Sequence, residues 1–222
     1  MIDILLAGIG GQGTVLAAKI LAQTAQNRGW SVRTAETIGM AQRGGSVTSH
    51  IRMGNNGEEV HSPLLEKGTA TMMSAFEPGE AARNLDDLAP NGTLVTATSA
   101  VQPVTSALSK EPYASKMILE ELANSMSFES EGASSGWGTV WESHDDDSVT
   151  LIAVDDKMFL GEIRNHRMLN TVLLANAICL GKIPLTLDDL RNAIHATVKP
   201  HFVALNIEAV DMVAAKHRTE GQ

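Results

Sequence analysis

Six consecutive residues, Gly8-Ile9-Gly10-Gly11-Gln12-Gly13, stand between a short apolar run and a helical one. The spacing is G-x-G-x-x-G, and each glycine has a task in a strand-to-helix turn. Gly8 permits the tight turn, Gly10 lets backbone approach a ligand closely, and Gly13 lets the helix pack onto the strand. The unpaired N–H groups of a helix start favour an anion, so the chemistry on offer is phosphate or carboxylate binding. Glu36 lies about where an acid that holds a ribose would be. A second loop, Gln42-Arg43-Gly44-Gly45, puts a guanidinium before two glycines. It can pair with a phosphate or with a partner's carboxylate. Alternatively Arg43 holds its own loop by bonding local carbonyls, and Gln12 and Gln42 read either as loop staples or as interface donors. The candidate ligand-binding residues are therefore Gly8, Gly10, Gly11, Gln12, Gly13, Arg43, Gly44 and Gly45.

No catalytic side chain and no metal site emerges. The seven histidines are scattered, with no pair at a ligand spacing on an evident helix. The run Asp145-Asp146-Asp147 lacks the glycine and distant glutamate of a calcium loop and reads as a solvated turn. Ser46, Ser49 and His50 are close in sequence, but no strand-turn-helix elbow surrounds them, which argues against a hydrolase.

The elements that must carry these loops follow from periodicity. Residues 2–7 read as a core strand and 14–28 as a helix, with Val15, Ala18, Ala22 and Ala25 at helical spacing and Gly29 as a stop. Residues 31–36 alternate as a second strand. Strand, glycine turn, helix and strand make one βαβ unit, which implies parallel pairing and a Rossmann-like α/β fold with a mostly parallel sheet flanked by helices. If the two strands are consecutive and parallel, both glycine loops emerge on one edge of the sheet.

Asn56-Gly57 is a hairpin turn signal, so 47–61 is expected to add a β-hairpin. Strands are expected at 69–76, 93–98 and 149–154, and helices at 80–88, 113–126 and 170–180. Thr186 with Asp189 resembles a capping box for a helix running to Pro200, and Asn206 is a candidate cap for a last helix. The stretch 128–148, rich in serine, glycine and aspartate, is expected to be a flexible surface excursion. No internal repeat or long linker divides the 222 residues, which suit one domain.

Composition narrows the function. With 43% hydrophobic and 19% charged residues the chain can bury an ordinary core. A net charge of −9 provides no general attraction for nucleic acid or anionic lipid. No apolar run is long enough to span a bilayer, and the first residues lack the basic region of a signal peptide, so a cytoplasmic location is expected. The single cysteine, Cys179, sits in an apolar run and reads as a small buried hydrophobe. One thiol cannot hold an iron–sulfur cluster, which takes about four.

The whole pattern resembles the gamma subunit family of 2-oxoacid:ferredoxin oxidoreductases, whose equivalent in indolepyruvate oxidoreductases is the beta subunit. The residues that carry the resemblance are Gly8 to Gly13, Glu36 and Gly39, Ala41-Gln42-Arg43-Gly44-Gly45-Ser46-Val47, and Ile51-Arg52. Ser62-Pro63, Phe76-Glu77, Leu88-Ala89-Pro90-Asn91-Gly92-Thr93 and the helix at 170–180 add to it, so most of the chain is covered. Residues 128–148 resemble an insertion relative to a typical member.

The resemblance implies a Rossmann-like subunit that supports oxidative decarboxylation of a 2-oxoacid such as indolepyruvate or pyruvate without carrying the redox chemistry. Thiamine diphosphate, magnesium and iron–sulfur clusters are then expected on partner chains, with ferredoxin reached indirectly. In members that use coenzyme A, this part lies near the acyl acceptor. A homo-oligomer stays open for the isolated chain. Two other readings stand beside it. One is a free-standing NAD- or FAD-dependent oxidoreductase using Gly8 to Gly13, and the other is a regulatory module whose glycine loop holds some other anion.

Overall fold

The computed structural model describes residues 1–39, 44–100, 114–126, 128, 132–143, 149–163, 165–180 and 182–220. Strand β1 (Ile2–Ile9) is central: Ile4, Leu5, Leu6 and Ala7 are all buried, so both faces are covered. Helix α1 (Thr14–Asn27) follows and buries Ala17, Ala18, Ile20, Leu21 and Ala25 against the sheet. Its C-terminus is a Schellman turn: Trp30 N–H donates to Ala25 O (3.2 Å) and Gly29 N–H to Gln26 O (2.8 Å). Gly29 supplies the positive φ of 77° that this turn requires.

Beyond α1 the chain makes β2 (Ser31–Ile38), β3 (Ser46–Gly54) and β4 (Ala70–Ala75). Helix α2 (Pro78–Arg83), β5 (Leu88–Ala97) and α3 (Ser115–Ser125) come next. The strands β6 (Ala133–Ser135), β7 (Gly138–Glu142) and β8 (Thr150–Val154) lead to α4 (Asp156–Ile163) and α5 (Leu169–Cys179). Helices α6 (Leu187–Thr197) and α7 (Pro200–Glu220) close the chain.

The eight strands form one sheet in the order β2-β3-β1-β4-β5-β8-β7-β6. One face is covered by α1, α4, α5, α6 and α7 around a large apolar core, and the other by α2 and α3 around Leu5, Met73, Leu94 and Leu151. Helix α5 is buried on every side from Leu169 to Ile178, which is why its sequence is apolar all round. Thr186 and Asp189 do form the reciprocal capping box that starts α6.

Several expectations need correcting. Three of the seven neighbouring strand pairs are parallel, β1–β4, β4–β5 and β5–β8, and the others are antiparallel, so the sheet is mixed. β1 and β2 do not pair with each other. β3 lies between them and runs antiparallel to both, with Leu6 opposite Ser49 and Ser49 opposite Glu36. The two strands still point the same way, so their C-terminal loops share one edge. Gly57 adopts a turn conformation with φ 85°, yet no strand returns after it; the antiparallel additions are β2–β3 and β6–β7.

Within 128–148, residues 133–142 extend the sheet through β7 paired to β8. Trp137 between β6 and β7 is buried, with its ring 4.6 Å from that of His217 on α7. Asn206 caps nothing: it lies inside α7, six residues after Pro200 begins it, and is buried. Helix α4 was not anticipated.

Candidate functional site

The first glycine loop is held from within. Gln12 Oε1 accepts from Ile9 N–H (2.7 Å), and Gln12 Nε2 donates to Phe76 O at the end of β4 (3.2 Å). One end of this side chain bonds within the loop and the other reaches the backbone after β4, so Gln12 is a staple between β1 and β4. A Cβ on Gly8 would meet Thr14 Oγ1 at 2.8 Å and Gln12 Oε1 at 3.0 Å, so the staple itself requires the glycine. Gly13 caps α1 in the left-handed region (φ 88°, ψ 21°), and Gly11 has φ 107°.

The second glycine loop meets the first. Gly10 N–H donates to Gly45 O (2.9 Å), so the two motifs do lie together on one edge of the sheet. Gly44 has φ 75°. Arg43 and Gln42 lie outside the described residues.

A cleft of about 750 Å³ opens beside the first loop. Gly11, Gln12, Gly13, Leu16 and Lys19 form one wall. Ser99 after β5, Asp156 of α4, and Arg167 and Met168 before α5 form another, and Thr197, Val198, Lys199 and Phe202 close it. The first turns of α1, α5 and α7 all border this space, through Leu16, Asn170 and Phe202. Each helix start carries N–H groups with no partner inside its own helix and the positive end of its dipole. Lys19, Arg167 and Lys199 add three cationic side chains to the lining. The combination suits a ligand with phosphate groups and an apolar part.

Buried amides organise the base of the cleft. Asn170 and Asn206 are each 2% exposed. Thr171 Oγ1 donates to Asn206 Oδ1 (2.5 Å), Thr171 N–H donates to Asn170 Oδ1 (2.9 Å), and Asn206 Nδ2 donates to Phe202 O (2.8 Å). A Cβ on Gly13 would meet Asn170 Nδ2 at 3.1 Å, so loop and base are in direct contact. Asp156, also 2% exposed, accepts from Ser99 N–H (2.8 Å) and Thr98 Oγ1 (3.2 Å), tying the end of β5 to α4.

The candidate list had Gly11, Gln12 and Gly13 of this cleft but missed Lys19, Asp156, Arg167, Asn170, Lys199 and Asn206. The available signal was polar: Asn170, Thr171 and Asn176 interrupt an otherwise apolar helix, and a buried amide there needs a partner. Glu36 does not line the cleft. The insertion of β3 carries it one strand further from β1 than a ribose-binding acid would be, about 5 Å per strand. Burial pushes the Cys179 thiol up from its ordinary value and lowers His50, the latter against the opposing charge of Asp87.

Comparison with known proteins decides the family. Residues 3–215 match the pyruvate ferredoxin/flavodoxin oxidoreductase family. The chain belongs to that family. An indolepyruvate oxidoreductase subunit IorB from Archaeoglobus fulgidus is 30% identical over 215 residues, covering 95% of this chain and 92% of that protein. The IorB subunit of Pyrococcus horikoshii is 29% identical over 210 residues, covering 95% and 93%.

Solved structures share the fold. A keto/oxoacid ferredoxin oxidoreductase gamma subunit from Geobacter sulfurreducens matches with a TM-score of 0.63 at 19% identity, covering 99% of each chain. A 2-oxoglutarate:ferredoxin oxidoreductase from Magnetococcus marinus, solved with 2-oxoglutarate, coenzyme A and succinyl-CoA bound, matches with a TM-score of 0.64 at 18% identity. That match covers 98% of this chain and 31% of the larger one. This pyruvate ferredoxin/flavodoxin oxidoreductase family member is a subunit of the 2-oxoacid:ferredoxin oxidoreductase kind. Among the described residues no helix is long and apolar enough to cross a membrane.

Proposed function

We propose that this subunit serves a cytoplasmic complex acting on an aryl 2-oxoacid of the indolepyruvate kind, and that its glycine-loop edge faces the acyl acceptor. The full-length relatives named as indolepyruvate oxidoreductase subunits support the substrate class. The cleft supports the acceptor: three helix starts and three cations converge beside Gly11 to Gly13.

Coenzyme A fits this chemistry, with phosphates for Lys19, Arg167 and Lys199 and an apolar wall at Leu16, Met168 and Phe202. When bound it supplies the thiol that takes the acyl group. Gly11 and Gly13 present backbone to the cleft, Gly8 lets the loop fold tightly under it, and Gly10 ties it to Gly45 and Gly44 on the same edge. Iron–sulfur clusters do not fit this chain, which has one cysteine. They and thiamine diphosphate with magnesium belong on partner subunits in this reading, and residues 1–222 act as one gamma-type domain.

The test is reconstitution. The purified chain alone should not reduce a viologen dye with indolepyruvate, and mixing with its thiamine-diphosphate-bearing subunit should give turnover that depends on coenzyme A. Lys19→Ala with Arg167→Ala should raise the KM for coenzyme A and flatten its salt dependence. Turnover by the isolated chain at the rate of the complex defeats the subunit reading. Micromolar NADH binding by the isolated chain, lost in Glu36→Ala, would restore the dinucleotide enzyme.

A further inference from the structure

Two carboxylates outside the cleft are almost fully buried at the same sheet edge. Glu77 is 2% and Glu80 3% exposed, and both follow β4. Burying a charged carboxylate is unfavourable unless its oxygens find donors, so what they bond to is informative. Glu77 caps α2 by accepting from Glu80 N–H (2.8 Å). Glu80 Oε2 accepts from Ser46 Oγ (2.5 Å), and Glu80 Oε1 from Arg83 Nε (3.1 Å). Ser46 is the residue directly after Gly45.

These bonds close a ring through three segments. Gly10 N–H reaches Gly45 O (2.9 Å), and the chain passes to Ser46, whose hydroxyl reaches Glu80. Glu80 is tied through its own N–H to Glu77, next to Phe76, and Phe76 O accepts from Gln12, which in turn holds Ile9. Ser46 is also fixed by its carbonyl, which accepts from Gly39 N–H (2.9 Å). The first glycine loop is therefore braced from two directions, by the Gln12 staple to the backbone after β4 and by the Gly45 carbonyl just before β3. The Gly45 carbonyl is placed by Ser46, and the Ser46 side chain by a buried charge.

We propose that Ser46 and Glu80 are positioning residues that, through the Gly45 carbonyl and the Gly10 amide bonded to it, hold the first glycine loop, whose Gly11 to Gly13 line the cleft, in register for the acceptor. The functional consequence rests on the acceptor reading given above; the clamp itself rests on the hydrogen-bond ring. A charge-assisted bond to a buried acceptor is stronger than a neutral one and tolerates little movement, which makes it suited to holding a backbone carbonyl in place.

The test uses the full chain and its reconstituted complex with coenzyme A as the varied acceptor. In Ser46→Ala and Glu80→Ala the Gly10 amide should exchange with solvent about tenfold faster, the factor that one such hydrogen bond is worth. In the complex the KM for coenzyme A should rise by about the same factor, while kcat changes less than about twofold and the KM for the 2-oxoacid stays put. Glu80→Gln keeps an acceptor oxygen for Ser46 and should recover most of the effect. If Gly10 exchange is unchanged in Ser46→Ala while the unfolding midpoint drops, the pair is only structural and the proposal is wrong. If the wild-type complex turns over without coenzyme A, the acceptor reading fails instead, and the clamp is judged on Gly10 exchange alone.

Discussion

Replacing Gly13 by alanine tests how closely the loop and the cleft base are coupled. Gly13 sits at φ 88°, where a Cβ is disfavoured, and that strain alone costs about 1–2 kcal/mol. The new Cβ would also lie 3.1 Å from Asn170 Nδ2, and Asn170 is 2% exposed, so it has little room to retreat. Displacing it disturbs its contacts with Thr171 and adds about 1 kcal/mol, the usual net worth of a hydrogen bond. The total is about 2–3 kcal/mol, or about 4–12 °C in Tm for a chain of this size.

Gly29→Ala is the control. Its φ is 77° and nothing lies within 4 Å of the added Cβ, so it carries the backbone term alone. Urea unfolding of Gly13→Ala, Gly29→Ala, Asn170→Ala and the Gly13→Ala/Asn170→Ala double variant completes a cycle. Coupling between positions 13 and 170 should be about 1 kcal/mol, so that Gly13→Ala without Asn170 costs no more than Gly29→Ala. Equal costs for Gly13→Ala and Gly29→Ala in the wild-type background, or purely additive energies at 13 and 170, would refute the reasoning.

Three further outcomes are expected. Thr171→Val should cost about 1–3 kcal/mol by urea midpoint, because it leaves the buried Asn206 Oδ1 without its donor; a neutral substitution would mean that another donor replaces it. Gly138→Ala should prevent β7 from pairing with β8, since the Cβ would run into the Ala153 carbonyl oxygen, and near-normal amide protection at 138–142 would contradict that. Asp189 has its carboxyl held below the ordinary range: burial opposes the shift, but hydrogen bonds from Thr186 and the charge of Arg28 outweigh it. A lowered folded pKa means that its contribution is complete above the ordinary carboxylate range and fades as pH falls through the folded value. The Tm gap between wild type and Asp189→Asn should therefore be open at pH 6 and close in strong acid, with a pH-independent gap counting against it.

The order of elements around the glycine loop was legible because it rests on local chemistry. An apolar run, a G-x-G-x-x-G turn and alanines at helical spacing specify strand, turn and helix whatever surrounds them, and Thr186 with Asp189 specifies a helix start within four residues. The paired glycine motifs likewise marked one shared edge of the sheet, since Gly10 and Gly45 do meet.

Strand pairing was decided elsewhere. β2 and β3 have the same alternation that a parallel or an antiparallel partner would accept, and only packing against α1 and β1 selects β3 as the inner strand. That choice moved Glu36 away from the loop and with it the dinucleotide reading. Trp137 made 133–142 part of the sheet by burying its ring against α7, a contact across 80 residues that no local window contains. Asn206 resembles a cap when only its neighbours are considered, because a short polar side chain before an apolar helical run bonds backbone N–H groups. In the folded chain Thr171, 35 residues earlier, gives it a donor inside the core, and a buried amide with a partner can sit in mid-helix.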